Sequence, residues 1–203
     1  IASTINDAPA VFPLGATTVT WTVTDNAGLT ATATQTVTVT DTEVPTITAP
    51  ANVTVNSDAG SCDATGVALG SAITADNCGI ASTINDAPAV FPLGATTVTW
   101  TVTDNSGLTA TATQTVTVTD TENPTITAPA NVTVNSDAGS CDATGVALGS
   151  AITSDNCGIA STINDAPAVF PLGATTVTWT VTDNAGLTAT ATQTVTVTDT
   201  ENP

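Results

Sequence analysis

The sequence contains no basic residue: Lys, Arg and His are all absent, and 18 acidic residues give a formal net charge of -18. Nucleic acids and anionic membrane surfaces are bound by cationic side chains, so we exclude both as partners of this segment. Without lysine an isopeptide cross-link cannot form. Because no carboxylate can find a basic partner, each must be hydrated, hydrogen-bonded or bound to a metal.

Histidine is also the usual partner of a cysteine nucleophile and of a Cys/His zinc site, so neither chemistry is expected. No apolar run is long enough to span a membrane, and no signal peptide or sorting tail is recognisable. We therefore expect this sequence to be an internal window of a longer chain. Hydrophobic residues make up 41% of it and charged residues 9%, which argues against disorder.

Tryptophan and cysteine recur with one fixed period of 79 residues, the interval from Trp21 to Trp100. The recurring positions are Trp21, Trp100 and Trp179, then Cys62 and Cys141, then Cys78 and Cys157. A period of this size corresponds to one small domain rather than to one hairpin of a solenoid. We predict a truncated C-terminal half-repeat over 1–44, a complete repeat over 45–123, and a complete repeat over 124–203 that ends in the next linker.

Alternating apolar and polar residues predict short β-strands throughout the repeat. Val177, Trp179 and Val181 share one face of a strand over 175–182, and a hairpin turn follows at 183–186. Gln193 falls on the apolar face of the last strand, so we expect a bulge or an edge position there. A first strand is expected from 126 to 134, interrupted at Pro129 as suits an edge strand or a bulge, and further strands are expected at 144–148 and 159–163. No stretch has helical period, and the pattern predicts an all-β chain of tandem immunoglobulin-like β-sandwich domains.

The repeats share a series of short motifs in a fixed order. The motifs are Asp-Thr-Glu-Asn-Pro-Thr-Ile-Thr, Asn-Val-Thr-Val with Asp-Ala-Gly-Ser-Cys, Asp-Asn-Cys-Gly, Phe-Pro-Leu-Gly-Ala-Thr-Thr-Val-Thr and Thr-Asp-Asn-Ala-Gly. Their order resembles the hyalin repeat (HYR) family. The resemblance covers essentially the whole chain. It implies an immunoglobulin-like fold in an extracellular protein and, in bacteria of the Bacteroidota, long surface adhesins that include gliding-motility adhesins.

The resemblance also bears on the cysteines. Many bacterial members carry two further cysteines, in the first and last strands, where this chain has Ala49 or Ala128 and Ala112 or Ala191. The joint loss of that pair implies that the remaining two cysteines of each repeat bond to each other, as Cys62–Cys78 and Cys141–Cys157. The intervening segment must then fold back, most simply at Gly70-Ser71, because a straight strand over 65–75 would separate its ends by roughly 30 Å. Free thiols or interchain bonds are the alternative.

Acidic and amide side chains mark three loops of each repeat: the entering linker, the B–C turn and the F–G turn. In an immunoglobulin-like sandwich these loops gather at one end of the domain. The candidate ligands are Asp41, Glu43, Asp76, Asn77, Asp104 and Asn105 for one repeat, and Asp120, Glu122, Asn123, Asp155, Asn156, Asp183 and Asn184 for the next. Oxygen ligands of this kind suit Ca²⁺, and the junction is similar to the calcium linker of cadherins. The alternative is that these side chains only cap turns.

The leading functional hypothesis is a non-catalytic stalk or filament segment of an extracellular cell-surface adhesin, with joints stiffened by calcium. Its partners would be neighbouring repeats of the same chain and other copies in a fibre. Two alternatives are a glycan- or protein-binding adhesion module and a polymerising filament subunit whose truncated first repeat accepts strands from another subunit. The surface ligand is not encoded in any motif that we recognise.

Overall fold

The computed structural model describes residues 1–201, so Asn202 and Pro203, the end of the predicted third domain, lie outside the described residues. The described residues form nineteen β-strands and no helix, which confirms the predicted all-β class. Over the same residues no helix is long and apolar enough to cross a membrane.

The strands fall into three groups along the chain. The first group is β1 (Ser3–Asn6), β2 (Gly15–Thr24) and β3 (Thr30–Val39). The second group is β4 (Thr46–Thr48), β5 (Val53–Asn56), β6 (Asp63–Thr65), β7 (Ile73–Ala75), β8 (Ile80–Asn85), β9 (Val90–Pro92), β10 (Gly94–Asp104) and β11 (Thr109–Thr119). The third group is β12 (Thr125–Thr127), β13 (Val132–Asn135), β14 (Asp142–Thr144), β15 (Ile152–Ser154), β16 (Ile159–Asn164), β17 (Val169–Pro171), β18 (Gly173–Asp183) and β19 (Thr188–Thr198).

The chain divides into two compact units that do not coincide with the sequence repeats. One unit contains Ile1–Ala51, Gly70–Asp86 and Val98–Gln114, and the other contains Asn52–Leu69, Ala87–Thr97 and the chain from Thr115 onward. Each unit therefore contains a complete junction between two repeats.

The third repeat has the two layers of a β-sandwich. One layer is a four-stranded sheet in the order β13-β19-β18-β16, and the other strands form the pairs β12-β15 and β14-β17. The alternation of threonine with apolar residues in β18 and β19 places Val177, Trp179, Val195 and Val197 in the core. They pack with Ala143 and Phe170 from the smaller strands, which confirms the immunoglobulin-like sandwich and the predicted facing of Trp179.

The sequence pattern predicted a bulge or an edge position at Gln193, and this prediction is wrong. The register of β18 with β19 runs unbroken from Gly173↔Val197 to Thr182↔Thr188, and β19 is an interior strand. The side chain is fully buried because its amide is hydrogen-bonded on every side. Trp179 Nε1 donates to Oε1 at 3.1 Å, and Nε2 donates to the carbonyls of Ala130 at 2.7 Å and Leu148 at 2.9 Å.

The predicted strand over 144–148 is wrong beyond its first residue, because β14 ends at Thr144. The chain then crosses to β15, which pairs with β12, whereas β14 pairs with β17. At the bend Gly149 has a φ of 83°, and an added Cβ would lie 3.3 Å from Pro129 Cβ. The segment therefore folds back near Gly149, the counterpart of the fold-back predicted at Gly70.

The first three strands form the sheet β1-β2-β3. Trp21 is 41% exposed, whereas its counterpart Trp179 is 6% exposed. The hydrogen bond from Trp21 Nε1 to Gln35 Oε1 has the same 3.1 Å length as its buried counterpart. The tryptophan–glutamine pair thus forms at all three tryptophans, buried at Trp100 and Trp179 and exposed at Trp21.

Candidate metal centre and the repeat junction

The junction that precedes the third repeat brings together three aspartates from distant points of the sequence. Asp120 follows β11, Asp155 follows β15, and Asp183 ends β18. One carboxylate oxygen of each lies within 4.8 Å of the others. Asp183 is 1% exposed and Asp120 is 8% exposed. We call this set the Asp183 triad.

Each carboxylate of the Asp183 triad uses one oxygen to hold its own loop. Asp183 Oδ1 accepts the backbone N–H groups of Ala185 and Leu187, both at 2.8 Å. Asp155 Oδ2 accepts the N–H of Cys157 at 2.7 Å, and Asp120 Oδ1 accepts that of Glu122 at 3.1 Å. These hydrogen bonds are the turn caps that the sequence suggested as an alternative to metal binding.

The second oxygen of each carboxylate is left without a hydrogen-bond donor. Asp120 Oδ2, Asp155 Oδ1 and Asp183 Oδ2 are buried and accept no hydrogen bond from the described residues, and Asn156 Oδ1 is in the same state. Buried polar atoms without partners are rare because each costs about 1–3 kcal/mol. Turn capping therefore leaves one buried oxygen of each carboxylate available to a metal.

The electrostatics of the triad favour a cation. At an effective dielectric of about 20, two unit charges 4.8 Å apart repel by roughly 3.5 kcal/mol before solvent screening is allowed for. No lysine, arginine or histidine exists in the chain to offset this repulsion. The donor set consists only of hard oxygen atoms, which is the set that Ca²⁺ prefers. The residues of the triad therefore fit a bound divalent cation.

The preceding junction repeats the arrangement with Asp41, Asp76 and Asp104, whose oxygens also lie within 4.8 Å of one another. Asp76 Oδ1 and Asp104 Oδ2 are buried without a partner among the described residues. Asp41 Oδ2 differs, because it accepts the Ser106 hydroxyl at 3.3 Å, where the third repeat has Ala185. The Glu43 N–H bonded to Asp41 lowers the pKa of this carboxyl, and contacts with Cys78, Ser106 and Asn77 lower it further, against partial burial. We call this set the Asp104 triad.

Of the other residues predicted as ligands, Glu122, Asn105 and Asn184 have side chains that hydrogen-bond to backbone groups. Glu122 accepts the Gly60 N–H at 3.0 Å through Oε2. Asn184 and Asn105 donate to the carbonyls of Cys157 and Cys78 at 2.9 and 2.8 Å. Asn123 lines a groove with Glu122 and Asn156, and Glu43 lines another with Asn77. The aspartates of the linker and the two turns thus form the centre of each site, with Asn156 as an added oxygen in the Asp183 triad.

The predicted disulfide pairing within each repeat, Cys62–Cys78 and Cys141–Cys157, is wrong. The structure instead bonds Cys62 of one repeat to Cys157 of the next, with Cα atoms 4.8 Å apart, and leaves Cys78 and Cys141 as free thiols. The reason is that the loop of Cys62 lies against the following repeat. Asn156 Nδ2 donates to the carbonyl of Ser61 at 2.7 Å, which holds the two cysteines side by side.

No signal in the sequence distinguishes the two pairings. Because the cysteines recur at the same positions in successive repeats, each can find a partner in its own repeat or in the adjacent one. The free thiol of Cys78 is half-buried. Partial burial raises its pKa, and the nearby carboxylates of Asp41, Asp76 and Asp104 raise it further. Cys78 is thus a protonated thiol placed beside the Asp104 triad.

Solved structures with a similar strand arrangement include cadherin ectodomains. For protocadherin gamma B2 extracellular cadherin domains 3–6 the identity is 15% and the TM-score 0.38, with 91% of this chain and 57% of that chain covered. For the human desmocollin-1 ectodomain the identity is 15% and the TM-score 0.32, with 91% of this chain and 47% of that chain covered. For mouse cadherin-23 EC22–24 they are 14%, 0.37, 91% and 74%. The chain thus spans a little over half of the first of these structures, and the likeness concerns the fold alone.

No curated protein matched the sequence. The family model described as the HYR domain matches residues 40–118 and residues 119–197. These adjacent matches confirm the resemblance, and they confirm the repeat period because their first residues are as far apart in sequence as Trp21 and Trp100. The domain boundaries at 45 and 124 remain predictions. The chain therefore belongs to the HYR domain family, whose model it matches twice in tandem.

Proposed function

We propose that this chain is a run of non-catalytic structural repeats in an extracellular adhesion-type protein, and that Ca²⁺ bound at each junction stiffens it. Membership of the HYR family and the tandem immunoglobulin-like fold suggest an extracellular repeat module. The observation that carries the calcium proposal is the clustering of three aspartates in each triad, with three buried carboxylate oxygens left without a partner in the Asp183 triad and two in the Asp104 triad.

The position of the ligands explains how a cation would stiffen the junction. Asp120 lies in the linker that leaves β11, whereas Asp155 and Asp183 belong to turns of the repeat that follows. A cation shared by these side chains would tie the linker to the domain and oppose rotation about it. A ligand that binds only the assembled junction stabilises it by mass action. Calcium would therefore fix the geometry of the array without taking part in a catalytic reaction.

Calcium fits these sites better than magnesium. Ca²⁺ takes 6–8 oxygen ligands in flexible geometry, whereas Mg²⁺ demands a near-ideal octahedron and releases water reluctantly. Each triad offers three carboxylates fixed by their turns, and Asn156 adds an amide oxygen at the second site. Water and backbone carbonyls would complete the coordination.

Calorimetric titration of the oxidised chain with Ca²⁺ tests the proposal. We expect two sites per chain, since the described residues contain two triads. Asp183→Asn should remove one site and Asp104→Asn the other, because asparagine can still cap the turn through Oδ1 but removes the charge.

Asp25→Asn is the matched control. Asp25 Oδ1 accepts the N–H groups of Ala27 and Leu29 at 2.8 and 2.9 Å, as Asp183 does for its own turn, but Asp25 belongs to neither triad. This variant should retain both sites. Loss of a site in Asp25→Asn, or two sites retained in Asp183→Asn, would contradict the proposal.

A second readout separates a metal ligand from a simple turn cap. In excess chelator Asp183→Asn should melt at the same temperature as the parent chain or higher, because one of three repelling charges is gone. In excess Ca²⁺ it should melt lower. A turn cap without a metal role would give the same difference from the parent chain in both conditions.

A further inference from the structure

We infer that Cys78 and Cys141 are the unmatched halves of a disulfide series that runs along the array. In this series the cysteine of each Gly-Ser-Cys loop bonds to the cysteine of the Asp-Asn-Cys-Gly turn in the following repeat. The groove beside Cys78 is then a site for a Gly-Ser-Cys loop from a preceding repeat. This inference rests on the cysteine geometry and does not depend on a bound metal.

The first observation is that the counterparts of both free cysteines are bonded to each other. Cys141 is the counterpart of Cys62 one repeat later, and Cys78 is the counterpart of Cys157 one repeat earlier. Cys62 and Cys157 form the disulfide. Applied one repeat earlier, the same rule pairs Cys78 with a Gly-Ser-Cys loop that would precede Ile1. Applied one repeat later, it pairs Cys141 with a turn of a following repeat.

The second observation is that the loop of Cys141 already has the conformation of the bonded loop. The Asp137 N–H donates to the Asp142 carbonyl at 2.7 Å, and the Ser140 hydroxyl donates to the Asp142 carboxylate at 2.6 Å. The two corresponding distances in the loop over 58–63 are also 2.7 and 2.6 Å. Because the loop is already ordered before its cysteine is bonded, little further conformational entropy is lost when the bond forms.

The third observation is that Cys78 is held as its bonded counterpart is. The Cys78 N–H donates to Asp76 Oδ2 at 2.8 Å, and the Cys78 carbonyl accepts Asn105 Nδ2 at 2.8 Å. The same two contacts of Cys157 measure 2.7 and 2.9 Å. The acceptor side is thus also preformed.

The fourth observation is the lining of the groove beside Cys78. At the bonded junction the loop of Cys62 is held by three groups of its surroundings. The Leu93 N–H donates to the Cys62 carbonyl at 3.2 Å, Glu122 accepts from Gly60, and Asn156 donates to Ser61. The counterparts of these three residues are Leu14, Glu43 and Asn77, and all three line one groove with Cys78. The groove therefore presents the partners that a Gly-Ser-Cys loop requires.

The bond forms by ordinary thiol–disulfide exchange with a disulfide oxidant such as oxidised glutathione. The thiolate of the incoming loop attacks the oxidant, which gives a mixed disulfide and releases one glutathione thiol. The Cys78 thiolate then attacks the loop sulfur and releases the second. Two thiols are oxidised, one glutathione disulfide is reduced to two thiols, and the two protons pass to the glutathione released.

The test extends the full chain by its own sequence. Residues 45–79 are duplicated ahead of Ile1, which completes the first repeat because Ile1 and Ile80 begin the same segment. The protein is refolded in a glutathione redox buffer and cleaved after glutamate. Glu43, Glu122 and Glu201 are its cleavage sites, one per repeat, and the duplicated segment contains no further glutamate.

We expect the fragments ending at Glu43, Glu122 and Glu201 to migrate together on a denaturing gel until they are reduced. Two of the six cysteines should remain reactive to a thiol reagent. Cys78→Ser in the extended chain should release the first fragment alone. This variant leaves the bond between the second and third fragments intact, so it also controls for folding and oxidation.

Release of the first fragment from the unsubstituted extended chain would overturn the inference, since it would place that bond within one repeat. Separation of the second and third fragments before reduction would overturn it as well. Retention of the first fragment in the Cys78→Ser variant would show that its partner is another cysteine, which is equally incompatible.

Discussion

Gln193 offers a stringent test of how each repeat is held together. Replacement by leucine keeps a similar volume but removes the amide that joins Trp179 to the carbonyls of Ala130 and Leu148. One indole N–H and two carbonyls lose their partners in a site where Gln193 is 0% exposed. At about 1–3 kcal/mol for each unpartnered buried group, and with partial relaxation, we expect a loss of about 3–6 kcal/mol.

The same chain contains the matched control. Gln35 accepts the Trp21 indole N–H at the same 3.1 Å, but Trp21 is 41% exposed, so water can replace the lost partner. Gln35→Leu should therefore change stability by less than about 0.5 kcal/mol, as is usual for surface substitutions. Calorimetric unfolding of both variants measures the difference. If Gln193→Leu costs less than about 1 kcal/mol, or both variants lose the same amount, the interpretation is refuted.

Three further predictions concern the junction. After cleavage at glutamate, the Cys62–Cys157 disulfide should keep fragments 44–122 and 123–201 joined until it is reduced. If the disulfides lay within each repeat, the two fragments would separate without reduction. Cys62→Ser should lower the melting temperature, since closing a loop of 95 residues stabilises the fold by up to about 4.7 kcal/mol in the chain-entropy model. Cys78→Ser should leave the melting temperature unchanged. Equal effects of the two variants would indicate instead that the cysteines pair within each repeat. Gly158→Ala should cost about 1–3 kcal/mol, because φ is 92° and an added Cβ would lie 3.0 Å from Asn184 Nδ2, and an unchanged melting temperature would show that the turn relaxes.

Strand parity and repeat spacing were sufficient to predict the fold class. Trp179 and Val177 lie on the buried face that alternation predicted, because a two-residue period follows directly from strand geometry. Gln193 shows the limit of that reasoning. A polar residue in apolar phase indicates a bulge only if its hydrogen bonds cannot be met inside, and the partners that meet them, Ala130 and Leu148, are 63 and 45 residues away.

The candidate site divides in the same way. Asp120, Asp155 and Asp183 were predicted to gather because loops at one end of a sandwich do so, and the structure places them together. That each carboxylate caps its turn with one oxygen and leaves the other without a partner depends on atomic contacts that sequence spacing does not contain. The pairing of Cys62 with Cys157 was missed for another reason: identical repeats make the local and the adjacent partner equivalent in sequence, and only the docking of the loop on the next repeat separates them.

The most direct test of the central claim is thermal unfolding of the oxidised chain in Ca²⁺ at about 100 times the dissociation constant and again in excess chelator. At that concentration a bound ligand contributes about 2.7 kcal/mol. For domains of 60–100 residues 1 kcal/mol shifts the melting temperature by roughly 4–8 °C, so we expect a rise of roughly 10–20 °C on adding calcium. Identical melting curves in calcium and chelator would contradict the account and leave the junction to be fixed by its disulfide without a metal.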